Sequence, residues 1–222
     1  MTARHALILA DGLVEPAEDI ERAWPGWSRD IDLVIAADGG ARHARRLGLR
    51  VDRWVGDGDS VDAAELAALE ASGTIVDRAA VDKDETDAEL AVLTAVAAGA
   101  ERITILGALG GERLDHELGN IWLLAHPALA GRDTCLLSAG SRVRVAVPGR
   151  TDLAGQVGDV VSLLPIGGDA LGITTEGLRY ALTNEPLLVG PSRGLSNLRV
   201  DQAAAVTFGA GRLLIVETPA RL

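Results

Sequence analysis

Asp57 and Asp59 carry the clearest chemical signal in the sequence, within the run Gly56-Asp57-Gly58-Asp59-Ser60. In an extended segment, side chains two residues apart point the same way. Two carboxylates placed like this repel, and one pKa rises unless a cation lies between them. Magnesium is a hard cation that takes carboxylates together with phosphate oxygens. A solvated turn accounts for the pair alone equally well, since Asp and Gly are common turn residues. An EF-hand calcium loop does not, because it would need Asp or Asn at Val61 and Gly at Asp62.

Two further acidic runs stand in similar settings, Ala37-Asp38-Gly39-Gly40 and Lys83-Asp84-Glu85-Thr86-Asp87. A fourth run, Gly107-Ala108-Leu109-Gly110-Gly111, has glycines that let backbone approach a phosphate, and a helix after it would offer free N–H groups. It matches neither G-x-G-x-x-G nor the P-loop pattern, and a plain tight turn explains it as well. Arg113, Asp115 and His116 follow at once. Arg113 could hold phosphate oxygens in its guanidinium fork, whereas a lone His at a helix start more often serves structure. In the last third of the chain the notable pieces are Gly177-Leu178-Arg179-Tyr180 and Gly194-Leu195-Ser196-Asn197. Tyr180, the only tyrosine, suits either packing or stacking on a flat heterocycle. Ser196 and Asn197 suit either a turn cap or a ligand bond.

The elements that would position these residues follow from periodicity and punctuation. Short apolar runs at 6–9, 33–37, 54–55, 74–76 and 103–106 read as strands. Helical stretches are expected at 41–47, 63–71, 87–98 and 114–125, the last ending before Pro127. Asp62 with Glu65, and Thr86 with Glu89, have the spacing of capping boxes. Alternating strands and helices imply a mainly parallel sheet with helices on its faces. Ligands of such sheets bind beyond the carboxyl ends of the strands, so the three acidic runs could meet at one edge. After about residue 131 the helical period disappears. Strands are expected at 142–147, 160–164, 187–189, 203–208 and 212–217, with Gly or Pro in the gaps. The expected organisation is an α/β domain over 1–130 and a smaller all-β sandwich over 131–222, with the boundary near 127–133.

Composition narrows the partners. Of 222 residues 48% are hydrophobic, enough for a buried core, and the formal net charge of -11 disfavours nucleic acid and anionic membrane surfaces. Cys135 is the only cysteine, so an internal disulfide is excluded. The chain shows neither a secretion-signal pattern nor an apolar run of roughly 20 residues. A soluble, cytoplasmic protein with small-molecule ligands is the expectation.

Taken together, the motifs resemble those of the thiamine pyrophosphokinase (thiamine diphosphokinase) family. The resemblance rests on six in order: ADGGA at 37–41, GDGDS at 56–60, KDETDAELA at 83–91, GALGGERLDHELGN at 107–120, TTEGLRYAL at 174–182 and GLSN at 194–197. It implies ATP as co-substrate, magnesium, and a homodimer whose active sites are shared between chains. It also implies that Asp57, Asp59 and Asp87 hold magnesium and the phosphates, with Asp38 and Lys83 beside them. On the ATP side it implies Gly39, Asp84, Thr86, Gly110, Gly111, Arg113, Asp115, His116 and Asn120. Tyr180, Ser196 and Asn197 would hold thiamine, the tyrosine stacked on the pyrimidine ring. Two departures stand out. Gly58 replaces an aromatic usual in the family, and Glu112 is inserted before Arg113 in the family's Gly-Gly-Arg-x-Asp-His pattern.

The reaction so implied is ATP plus thiamine giving AMP plus thiamine diphosphate. The acidic runs alone would serve a pyrophosphokinase acting on another alcohol, such as a hydroxymethylpterin, equally well. A cationic thiamine suits an aromatic platform, whereas a neutral pterin would need paired amide or carboxylate partners. A non-catalytic nucleotide-binding module would have no use for three acidic runs converging on a metal.

Overall fold

The computed structural model describes residues 4–220. Its chain divides into two units, the first ending at Ala139 and the second beginning at Gly140. In the first, strand β1 (His5–Leu9) is buried along its whole length, as a central strand covered on both faces must be. There follow α1 (Ala17–Ala23), β2 (Ile31–Ala37), a 3-10 turn (Asp38–Gly40), α2 (Ala41–Arg46), β3 (Arg53–Gly56), α3 (Ala63–Ala71) and β4 (Ile75–Arg78). The unit continues with α4 (Asp87–Ala97), β5 (Arg102–Leu106), α5 (Leu114–Leu123), a second 3-10 turn (Pro127–Leu129) and β6 (Asp133–Leu137).

The spatial order β6-β5-β1-β2-β3-β4 is parallel throughout. Strands β2 to β4 build outward on one side of β1, and β5 and β6 on the other. The order therefore reverses beside β1, the kind of switch point that opens a crevice at the strands' carboxyl ends. There the loop after β1 is tied to the loop after β5: Gly12 N donates to Gly107 O at 2.8 Å and Leu13 N to Gly110 O at 3.2 Å. Both capping boxes form on the cap side. Asp62 accepts from Glu65 N at 2.7 Å, and Thr86 from Glu89 N at 3.2 Å. A cap of this kind contributes about 1 kcal/mol. The core gathers Leu7, Leu9, Ile20, Trp54 and Leu106.

The second unit holds β7 (Arg142–Ala146), β8 (Gly149–Asp152), β9 (Val160–Pro165), β10 (Ala170–Glu176), β11 (Glu185–Leu187), β12 (Asn197–Leu198), β13 (Ala205–Phe208) and β14 (Leu213–Thr218). They pair antiparallel in the orders β12-β9-β14-β7 and β11-β10-β13-β8. Val161, Leu163, Leu213 and Ile215 from the first set share one core with Ile173, Leu187, Val206 and Phe208 from the second. This is the expected sandwich.

Besides strands β6, β8 and β12, which were not anticipated, three features depart from expectation. The division falls after Ala139 rather than near 130, because β6 pairs parallel with β5 and extends the first sheet. Helix α1 was not anticipated: it has seven residues and buries only Ile20, too little for a visible period. Strand β10 was also missed, since Gly172 interrupts its apolar alternation at a left-handed φ of 71°. Among the described residues no helix is long and apolar enough to cross a membrane.

Candidate active site

Asp38 follows the last residue of β2 and is almost completely buried, at 4% exposure. Its φ of 43° lies in the left-handed region, which Asp tolerates better than most residues. Three neighbours hold it there. The buried indole of Trp54 donates Nε1–H to Asp38 O at 3.0 Å, and Ser60 N donates to Asp38 Oδ2 at 3.1 Å. Gly56 supplies the third constraint by having no side chain, since a Cβ there would lie 2.9 Å from Asp38 Cβ.

Asp57 and Asp59 stand on the turn after β3. Oxygens of Asp38, Asp57 and Asp59 all lie within 4.8 Å of one another. Ser60 Oγ donates to Asp59 Oδ1 at 2.9 Å, so Ser60 orients two of the three carboxylates. Asp38 Oδ1 is buried without a hydrogen-bond partner. A buried oxygen without a partner in a group of three carboxylates fits a hard divalent cation, which would supply the missing partner.

Lys83 completes the cluster. Its Nζ lies 2.9 Å from Asp57 Oδ2 and 3.0 Å from Asp87 Oδ1, with only 12% of the lysine side chain exposed. The hydrogen bond from Lys83 is the largest influence on Asp57 and holds its carboxyl below the usual range. On Lys83 partial burial works against the charge, but the bonds to Asp57 and Asp87 outweigh it, and its pKa rises. Lys83 is therefore a permanent ammonium at neutral pH. The expected magnesium set was Asp57, Asp59 and Asp87. The structure instead groups Asp38 with Asp57 and Asp59, and gives Asp87 to Lys83 at the start of α4.

Burial is the largest influence on Asp38 and pushes its carboxyl above the ordinary range; Ser60 opposes the rise and the charge of Asp87 adds to it. The native state therefore holds this proton more tightly than the unfolded chain. Between the ordinary and the raised pKa, stability falls as pH rises. Above that window the ionised group opposes folding unless a cation is bound. Asp38→Asn keeps the shape and tolerates the left-handed φ. In EDTA at neutral pH it should be the more stable protein by about 0.5–2 kcal/mol, the usual gain on relieving a functional site. The gain should shrink in mild acid. Unfolding midpoints of both proteins at the two pH values check this, and a wild type more stable in EDTA at neutral pH would contradict it.

The remaining residues of the first unit are disposed as follows. Thr86 caps α4, and Asp84 is exposed on the loop before it. Gly39 abuts the ion pair between Arg42 and Asp11, at 2.9 Å, so closely that a Cβ would strike both side chains. Gly110 and Gly111 are exposed and have positive φ. Asn120 Nδ2 donates to Ala108 O at 3.0 Å, bracing that loop from α5. His116 is exposed. Arg113 makes a bidentate pair with Asp115, at 2.9 and 2.6 Å, which holds the Asp115 carboxyl far below its usual range. Both side chains are largely exposed, at 67% and 65%, and Asp115 lies in the first turn of α5. Gly58 has a φ of 83°, and a Cβ there would meet Arg78 Nη1 at 3.7 Å and Trp54 Cη2 at 3.8 Å, ordinary contact distances, so what glycine relieves is backbone strain and not a clash.

In the second unit Tyr180 is 63% exposed, and the Arg179 guanidinium lies 5.8 Å from its ring centroid. Asn197 is buried, and its amide is used on backbone. Oδ1 accepts from Tyr180 N at 3.0 Å and from Leu198 N at 2.9 Å, and Nδ2 donates to Tyr180 O at 2.8 Å. Ser196 is exposed with a positive φ of 55°, and its N–H is held by Ser162 Oγ at 3.0 Å.

Sequence reasoning assigned no role to Ser60 or Trp54. The serine lay inside a quoted motif, but only the folded turn shows it bonded to two carboxylates. Nothing in the local sequence marks the indole of Trp54 as a clamp on a residue sixteen positions earlier.

The family domain described as "Thiamin pyrophosphokinase, catalytic domain" matches residues 27–136. That described as "Thiamin pyrophosphokinase, vitamin B1 binding domain" matches residues 150–213. A thiamine pyrophosphokinase of Bacillus subtilis (strain 168) is 26% identical over 194 residues, 87% of this chain and 90% of that protein. The crystal structure of thiamine pyrophosphokinase from Bacillus subtilis superposes with a TM-score of 0.84 at 26% identity, covering 99% of this chain and all of that one. That of a thiamin pyrophosphokinase family protein from Enterococcus faecalis gives 0.81 at 26% identity, with 99% and 100% covered. With both domains matched in order across the two units that carry the acidic cluster and the exposed tyrosine, the chain belongs to the thiamine pyrophosphokinase family.

Proposed function

We propose that the chain transfers the pyrophosphoryl group of ATP to the hydroxyl of thiamine, giving thiamine diphosphate and AMP. Membership of the family makes it an ATP-dependent pyrophosphokinase. The observation that carries the residue assignment is the convergence of Asp38, Asp57 and Asp59, with Lys83 joining Asp57 to Asp87. The hydroxyl oxygen of thiamine attacks the β-phosphorus and gives up its proton to solvent, the bond from that phosphorus to the α–β bridging oxygen breaks, and AMP leaves with the oxygen. Reactions of this kind need mainly positioning and charge neutralisation. Magnesium held by Asp38, Asp57 and Asp59 would neutralise charge on the transferred group. Lys83 has three N–H donors. Two face Asp57 and Asp87, and the third is left for a phosphate oxygen. Ser60 keeps the carboxylates of Asp38 and Asp59 turned to one point.

Nucleotide analysis of the purified protein with ATP, magnesium and thiamine tests this reading. AMP should appear in step with thiamine diphosphate. Stoichiometric ADP with thiamine monophosphate would refute it. A pterin or other alcohol as acceptor, and a non-catalytic nucleotide module, are not favoured by the match to a vitamin B1 binding domain.

Tyr180 is proposed as the thiamine platform. Its exposure leaves the ring free for a flat, cationic heterocycle. Tyr180→Ala should weaken thiamine binding by about 1–3 kcal/mol, the scale of a lost aromatic platform, while Tyr180→Phe keeps most of it and ATP affinity hardly changes. Calorimetry showing normal thiamine binding by Tyr180→Ala would remove the assignment.

A cytoplasmic homodimer with shared active sites is part of the same proposal. Helix α5 supports the dimer, since Leu114, Leu118 and Trp122 recur at four-residue spacing and are 67%, 42% and 58% exposed. A second copy would cover that apolar stripe. A mass in solution equal to a single 23.0 kDa chain would count against it.

A further inference from the structure

We propose that a cleft between α2 and α3 is a second anion site, taking a phosphorylated small molecule beside the acidic cluster. The cleft encloses about 750 Å³. Arg42, Arg45 and Arg46 line one wall, and Val61, Ala68 and Leu69 contribute apolar surface to the other. Its charge is opposite to that of the protein. The chain carries a formal net charge of -11, yet three arginines line this cleft with one carboxylate, that of Glu65, and a second, that of Asp11, pairs with Arg42 from outside the lining.

The arginines are not consumed by the fold to the same degree. Arg42 is held by Asp11 at 2.9 Å and donates Nε–H to Gly39 O at 2.8 Å. Arg46 reaches only Val14 O, at 3.5 Å. Arg45 has no side-chain partner among the described residues. Arg42 and Arg46 stand four apart on a six-residue helix, a spacing at which like charges oppose the helix. A phosphate between the guanidinium groups would remove that repulsion and take paired N–H donors from each. The apolar wall gives the rest of such a molecule somewhere to lie. Gly39 and Ser60 also border the cleft, and Ser60 bonds both Asp38 and Asp59. A ligand seated there therefore touches a residue that orients the carboxylates.

AMP is the probe, titrated by calorimetry into the full chain in EDTA without thiamine, so that no transfer is needed for the measurement. Wild type should bind one AMP per chain, in the cleft, because without a cation the carboxylates of the acidic edge repel a phosphate. Arg45→Gln with Arg46→Gln should weaken this binding about tenfold or more. Arg45→Lys with Arg46→Lys should retain it. Adenosine, without the phosphate, should not occupy the cleft. Ala68→Trp fills the cleft from an exposed helix position without touching a charge, and should block the same binding. It keeps the test open if the glutamine variant fails to fold. No AMP bound by wild type, or undiminished binding in Arg45→Gln/Arg46→Gln or in Ala68→Trp, would overturn the proposal. None of these outcomes bears on whether pyrophosphate is transferred to thiamine.

Discussion

Asp59→Asn should lower turnover about a thousandfold while leaving the fold untouched. Asp59 is exposed, and its side chain accepts a hydrogen bond from the Ser60 hydroxyl. An amide oxygen can accept that bond as the carboxylate does, so the change removes charge and little else. Neutralising the transferred group is worth several kcal/mol in metal-assisted reactions, and about 4 kcal/mol corresponds to a factor of a thousand. Folding stability should stay within about 0.5 kcal/mol, as for ordinary surface substitutions. Asp57→Asn and Asp87→Asn should also be severely impaired. They differ in mechanism, since each also takes a counter-charge from Lys83. Initial rates of AMP release at saturating magnesium, beside urea unfolding curves, make the comparison. Near-normal turnover in all three variants would end the assignment of these carboxylates.

Lys83→Met should reduce turnover by about 10²–10³-fold, the loss typical of removing one donor aimed at developing charge. Methionine matches the length of the lysine stem, so the local packing survives. What disappears is the only ammonium bridging Asp57 and Asp87, together with its third donor. Lys83→Arg should recover only part of the activity, because a planar fork does not reproduce a compact ammonium between two carboxylates. A loss confined to KM for ATP would show that Lys83 binds the nucleotide equally in ground and transition states, and a loss in kcat places it at the transferred group. Turnover of Lys83→Met within a few-fold of wild type would exclude Lys83 from the reaction.

Much of this was legible in the sequence because it rests on local rules. Asp62 with Glu65 and Thr86 with Glu89 announced two helix starts, and both caps form. Apolar runs bounded by Asp-Gly marked the strands of the parallel sheet, since a buried strand must be apolar and its turn must be tight. The paired aspartates of the second motif could be singled out because side chains two apart share a face. Other features depend on residues distant along the chain. That Asp38 stands with Asp57 and Asp59 follows from the pairing of β2 with β3, which sets two turns side by side. That Lys83 reaches Asp57 as well as its near neighbour Asp87 follows from where the chain enters α4 beside the turn after β3.

The sequence by itself determined the class of each unit, most elements of the first and the residue types available for chemistry, because period, punctuation and capping act over a few residues. Only the tertiary structure decided which carboxylates share a point in space and that Asn197 serves the backbone of Tyr180. It also moved the division to Ala139 and Gly140, since β6 belongs to the first sheet through hydrogen bonds to β5, a partner some thirty residues earlier. Hydrogen bonds and ion pairs of this kind depend on side-chain and strand positions set by long-range packing, and no window of sequence contains both partners.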